Sequence, residues 1–227
     1  MTEVLEVLQN QYFILFYGIA LFYSIIKYKY YFDSILRYFP ILIGYTLLTE
    51  LLGLIIREFD SFQLVYIEGY SYYNQLIFNI FDIIFFLYFF FVFRKALHNS
   101  NTKRAIFIST FIYLLVAIIN PFLQDILMFP QIWAIIIGSI ILVFCCVNYL
   151  VEVKKAIQDN KRINLLFWIC IGLLVFNIAY PIIMSIGVLN YELYEQLQLH
   201  IFLRALIATM YGFFIIGFVK TKKRVVL

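Results

Sequence analysis

Charge is what this sequence has least of. Only 13% of its 227 residues are Asp, Glu, Lys or Arg, 65% are hydrophobic, and the mean hydropathy is +0.95. That composition cannot cover a water-facing globular surface, which excludes the soluble domain classes and assigns the chain to lipid. Two histidines and three cysteines leave little for metal or disulfide chemistry. Cys145, Cys146 and Cys170 all fall in apolar runs, where they read as buried free thiols, and no His or acid accompanies them as a zinc set requires. With four prolines and nine glycines there is no Pro/Gly-rich linker, so residues 1–227 are expected to form one domain. HExxH, GxSxG and acidic metal motifs are all missing, and neither a cofactor nor a metal site is expected. The N-terminal MTEVLEVLQNQ carries Glu3 and Glu6, no early Lys or Arg and no small-residue cleavage pattern, so a cleavable signal peptide is not expected.

What is present is a series of apolar blocks near the ~20 residues that cross a ~30 Å hydrocarbon core. They predict helices at about 11–28, 38–57, 74–94, 104–121, 131–151, 163–187 and 199–220. Strict alternation is missing and the blocks are about twice strand length, which excludes a membrane β-barrel. The expected fold is an all-α, polytopic bundle of seven transmembrane helices in contact with the lipid bilayer.

Basic residues sort by side. Lys27, Lys29 and Arg37 follow the first helix; Arg94, Lys95, Lys103 and Arg104 follow the third. Lys154, Lys155, Lys161 and Arg162 follow the fifth, and Lys220, Lys222, Lys223 and Arg224 follow the seventh. That is 15 of the 17 basic residues, leaving only Arg57 and Arg204, so the positive-inside rule puts the N-terminus outside and the C-terminus in the cytoplasm. Acids mark the other side: Glu3, Glu6, Glu58, Asp60, Glu68, Asp125, Glu192 and Glu195. The net charge of +4 is thus a topology signal beside anionic lipid and does not imply nucleic acid. Tyrosine-rich flanks at 28–32 and 70–73 fit an interfacial aromatic belt.

Polar residues inside the blocks carry the functional expectation. Gln75, Asn79 and Asp82 share one face of the third helix at i, i+4, i+7 spacing, and Thr46, Glu50, Gly53 and Arg57 form a stripe on the second. His200, Arg204 and Tyr211 line one side of the seventh helix, while Asn177 and Tyr180 precede Pro181 on the sixth. A charge at the helix centre costs about 2.5–3.5 kcal/mol, so Glu50, Asp82 and Arg204 should turn inward and meet one another or water. An outer-half pocket built from Glu50, Asn79, Asp82, Asn177, Tyr180, Arg204 and Tyr211 is expected to bind a small ligand, an ion or a proton. Its alternative is a polar knot that fixes helix register without a ligand. His98, in a basic loop, reads as solvated, and Ala208 and Gly212 read as a small-xxx-small pair for close packing.

The seventh helix has no mid-membrane Lys for a retinal Schiff base. The segments FPILIG (39–44) and FWICIG (167–172) echo one another, as YGIALFYSII (17–26) and IGSIILVFCC (137–146) do loosely, which suggests two parallel triplets joined by the fourth helix. Pro130-Gln131 resembles the dipeptide of PQ-loop and SWEET-type transporters, in one copy at a helix end, with no equivalent in the first helix. YTLLTELLG, YNQLIFNIFDIIFFLYFF, KRINLLFWICIG and MYGFFIIGF together resemble the small, uncharacterised seven-helix inner-membrane proteins of Bacteroidota. That resemblance implies a bacterial inner-membrane location and candidate polar positions at Glu50, Asn74, Asn79 and Asp82, without an established activity. Three functions fit: a non-enzymatic sensor with a signalling partner at its basic inner face, a small-solute or proton-coupled transporter with a 3+1+3 helix arrangement, or a membrane-embedded lipid-modifying enzyme. The sensor leads, because polar residues on the cytoplasmic side of the helices are too sparse for a transport route, and Glu50, Asp82 and His200 alone do not make a catalytic set.

Overall fold

The computed structural model describes residues 12–58, 75–158 and 164–221. The acids Glu3, Glu6, Asp60 and Glu68, the bases Lys161, Arg162, Lys222, Lys223 and Arg224, the aromatic run 70–73 and Asn74 lie outside those residues, as do the side chains of Arg57 and Glu58. The described chain is mostly helical: α1 (Tyr12–Ile26), a 3-10 turn (Tyr28–Tyr30), α2 (Phe39–Glu58), α3 (Gln75–Ala96), α4 (Ser100–Leu123), α5 (Ile132–Gln158), α6 (Leu165–Leu189), a short α7 (Tyr191–Gln196) and α8 (Leu199–Lys220). Six of them are long and apolar enough to cross a membrane, and α1 is a shorter apolar helix of 15 residues.

Local chemistry explains where these boundaries depart from the hydropathy pattern. α4 begins four residues before the expected 104, because Asn99 caps it by accepting hydrogen bonds from the backbone N–H groups of Asn101 and Thr102. Glu152 adds to that cap from α5, accepting the N–H of His98 at 3.0 Å and that of Asn99 at 3.3 Å. His98 therefore does more than sit in solvent: its ring, 94% exposed, also lies 3.2 Å from the same carboxylate. Asn164 caps α6 and receives the Tyr149 hydroxyl at 2.8 Å. Asn190 starts the unexpected α7 by accepting the N–H of Leu193.

The helices close a ring in the order α1, α2, α3, α5, α6, α8, back to α1, with α4 outside it against α3 and α5. At one end, which carries the described Lys and Arg clusters, Lys27 Nζ donates to the carbonyl of Thr221 and the Lys220 ammonium stacks over Trp168. The half of the ring near this basic end is packed with buried aromatic side chains. Phe39, Phe89, Phe93, Phe214 and Phe218 are fully buried. Ring centroids lie 5.3 Å apart for Phe39 and Phe214 and 5.0 Å for Phe85 and Phe89. Edge-on pairs of this kind contribute about 0.5–1.5 kcal/mol each beyond burial.

Two glycines bring α6 and α8 together. A Cβ on Gly172 would stand 2.8 Å from the backbone oxygen of Met210, and one on Gly217 would stand 2.9 Å from Trp168 Cβ. Gly212, expected to serve close packing, has nothing within 4 Å of its Cβ position. Its face of α8 points away from the α6 contact. The outer surface is as apolar as the interior, with Ile41, Leu48, Phe111, Leu115, Trp133 and Ile140 all more than half exposed. In water such a surface would aggregate; it is the surface a lipid-facing bundle presents.

Candidate functional site

The ring encloses a cavity of about 310 Å³ in the half opposite the basic end. It is lined from α1, α2, α3, α6, α7 and α8, and its floor is the aromatic layer, reached at Phe85, Phe176 and Tyr211. Helix periodicity positions its polar groups. Glu50 lies eight residues before the end of α2, Asp82 seven after the start of α3 and Arg204 five after the start of α8, placing them roughly 12, 10 and 8 Å from that end. The last of these depends on Gln198, whose left-handed backbone (φ 49°) joins α7 directly to α8.

All three ionisable groups face the one cavity. Tyrosines meet the acids: the Tyr17 hydroxyl donates to Glu50 Oε1 at 3.2 Å, and the Tyr180 hydroxyl donates to Asp82 Oδ2 at 3.0 Å. Tyr211, 2% exposed, crosses from α8 to donate to Thr46 Oγ1 on α2 at 3.1 Å and sets its ring edge-on to Tyr17, 4.4 Å away. α2 and α8 are therefore linked by side chains across the ring, without packing side by side. Direct pairing of Glu50 with Arg204 is not observed: among the described residues, Arg204 makes no ion pair with Glu50 or Asp82. Arg204 instead lines the cavity from the second turn of α8, where Tyr194 and His200 are also part of the wall.

Five of the seven expected site residues, Glu50, Asp82, Tyr180, Arg204 and Tyr211, come together there. Asn79 and Asn177 do not, and one geometric reason covers both. Residues three apart on a helix point about 60° away from each other, so a polar stripe has two edges. Asp82 is the cavity edge of its stripe, whereas Asn79 turns to the α4–α5 connection. There its Nδ2 donates to the carbonyls of Ile126 (2.9 Å) and Phe129 (3.1 Å), and its Oδ1 accepts the N–H of Gln131 (3.0 Å). Asn79 is a clasp, and Pro130-Gln131 is part of what it holds. On α6, Tyr180 faces the cavity while Asn177 faces a wider lateral groove of about 620 Å³ between α5 and α6, its Nδ2 donating to the carbonyl of Leu173 at 2.8 Å. The groove is larger but almost wholly apolar and open along its length, so the smaller central cavity is the better candidate site.

Sequence reasoning had no basis for including Tyr17. A lone tyrosine in an apolar helix reads as a core or interface residue, and only its position opposite Glu50 makes it part of a site. Thr46, Gln75 and His200 lay on the expected stripes and also line the cavity. The three cysteines are buried and free; Cys170 Sγ donates to the Cys146 carbonyl at 3.4 Å. Among the described residues no three His, Cys, Asp or Glu side chains converge as a metal site. Comparison with protein-family models, curated proteins and solved structures returned no match.

Proposed function

We propose that the chain is a seven-helix protein of the bacterial inner membrane, N-terminus outside and C-terminus cytoplasmic, that detects a small ligand or ion in its central cavity and signals through its basic inner face. The observation that carries this reading is the convergence of Glu50, Asp82 and Arg204 on one cavity that stops at a packed aromatic layer. A packing knot would bring the charges into contact with one another. Here each acid accepts a tyrosine hydroxyl, and among the described residues neither forms an ion pair with Arg204. The sidedness of the basic residues supplies the orientation, and the resemblance to Bacteroidota proteins supplies the membrane. Signalling also fits the closed basic half, because information can pass through shifted helices where a solute cannot pass through packed Phe rings.

The test is paired measurement on Asp82→Asn. The amide oxygen can still accept the Tyr180 hydroxyl and a costly charge is removed, so thermal stability in detergent should be equal or higher. The response conferred by the native gene should be lost. A stable variant with its response intact would defeat the proposal.

One observation favours a second reading. α1, α2 and α3 form one half of the ring, α5, α6 and α8 form the other, and α4 lies outside it, a placement that a 3+1+3 transporter would have. Solute flux into proteoliposomes carrying the purified protein would support it over sensing.

A further inference from the structure

Resting on the ligand-binding reading above, we infer that the central cavity is built for an organic ammonium group, with Asp82 as its counter-ion and the aromatic walls as its cage. Asp82 Oδ2 receives the Tyr180 hydroxyl, but among the described residues Oδ1 has no donor and no cation stands within ion-pair distance of the carboxylate. Asp82 is partly exposed and lines the cavity, so its open surface faces that enclosed space. An acceptor open to the cavity in this way can take a donor that arrives with the ligand.

The rest of the wall decides what kind of cation. Ten of the twenty lining residues are Phe or Tyr, and the stacked pair Phe176–Tyr180 (centroids 4.7 Å apart) stands directly beside the carboxylate that Tyr180 holds. Aromatic faces attract a cation through their quadrupole, and most strongly one that sheds water easily. An inorganic ion would need several oxygens gathered around one point in place of its hydration shell, and among the described residues no three His, Cys, Asp or Glu side chains converge in that way. An alkyl- or arylammonium ion brings three N–H donors for Asp82 and an apolar body for the Phe side chains. At about 310 Å³ the cavity lies at the small end of small-molecule sites, suited to a compact amine. Arg204 repels a second positive group and sets the entering orientation.

The experiment is equilibrium binding to the full chain in nanodiscs, using primary ammonium ions from ethylammonium to phenylpropylammonium. Each is compared with the alcohol and the carboxylate of the same carbon skeleton. The expected result is at least one ammonium ion that binds about tenfold or more tighter than both of its partners. In Asp82→Asn that preference should shrink to near parity with the alcohol, while Gly212→Ala, outside the cavity lining, should leave it unchanged. An alcohol or carboxylate that binds as well as its ammonium counterpart would overturn the assignment and leave the cavity standing as a site of other chemistry. Failure of every probe to bind the native protein would also overturn it, and the Asp82→Asn response then decides separately whether the cavity is a site at all. The comparison of skeletons on the native chain reads out the inference even where a variant does not fold.

Discussion

At the scale of single residues, side chains of nearly the same shape serve opposite ends in this bundle. Asn79 and Asp82 sit three positions apart and nearly the same size, yet one holds a connection closed and the other lines a cavity. The difference is in the partners. Asn79 is 2% exposed and has both amide groups used, with a backbone donor on one side and two carbonyls on the other. Replacing it by Ala strands those backbone groups, and each lost bond contributes about 1 kcal/mol, so Asn79→Ala should lower stability by roughly 2–4 kcal/mol. Asn79→Asp is expected to destabilise as well, because a carboxylate cannot donate to Ile126 and Phe129. Thermal unfolding in detergent checks both, and an Asn79→Ala protein as stable as the native one would remove the clasp. Sequence spacing had placed Asn79 with Asp82, and could do no better, since a shared stripe does not specify which neighbour each edge meets.

At the scale of elements, helix existence was legible in hydropathy because in lipid every backbone polar group must be bonded within its own segment. Helix ends were less so. The start of α4 and the whole of α7 depend on Asn99 and Asn190 reaching particular N–H groups, and α4 also on a carboxylate 54 residues away from His98. Contact between elements was misread at the glycines, where the pair Ala208 and Gly212 was expected to mediate packing and Gly172 and Gly217 do so. A methyl group at 172 meets a backbone oxygen that cannot rotate away. Gly172→Ala should therefore cost about 1–3 kcal/mol by overpacking α6 against α8. Gly212→Ala, opening onto free space, should be neutral or slightly stabilising through helix propensity, by up to about 1 kcal/mol. Melting temperatures of the two variants should thus move apart, and an equal loss in both would return Gly212 to the packing interface.

At the scale of the whole molecule, the orientation proposed above rests on charge alone, because translocating Lys and Arg is costly while the fold of the bundle is indifferent to which side faces the cytoplasm. A reporter fused after Lys223 should be active in the cytoplasm and silent in the periplasm; periplasmic activity would reverse the topology and with it the outward-facing cavity. Composition and hydropathy by themselves determined that this is an all-helical, lipid-facing chain, how many apolar segments it has and which residues are too polar to face lipid. Those properties are sums over local segments, and a helix in a bilayer satisfies its backbone without help from its neighbours. The tertiary structure alone decided that α2 and α8 meet across a ring, that Tyr17 and Tyr180 hold the two acids, and that Arg204 stands apart from both. It also decided that aromatic side chains close one half and leave a cavity in the other. These depend on the order in which helices pack and on rotations of a few tens of degrees about their axes, and between apolar helices in an apolar solvent the sequence pattern carries almost no signal for either.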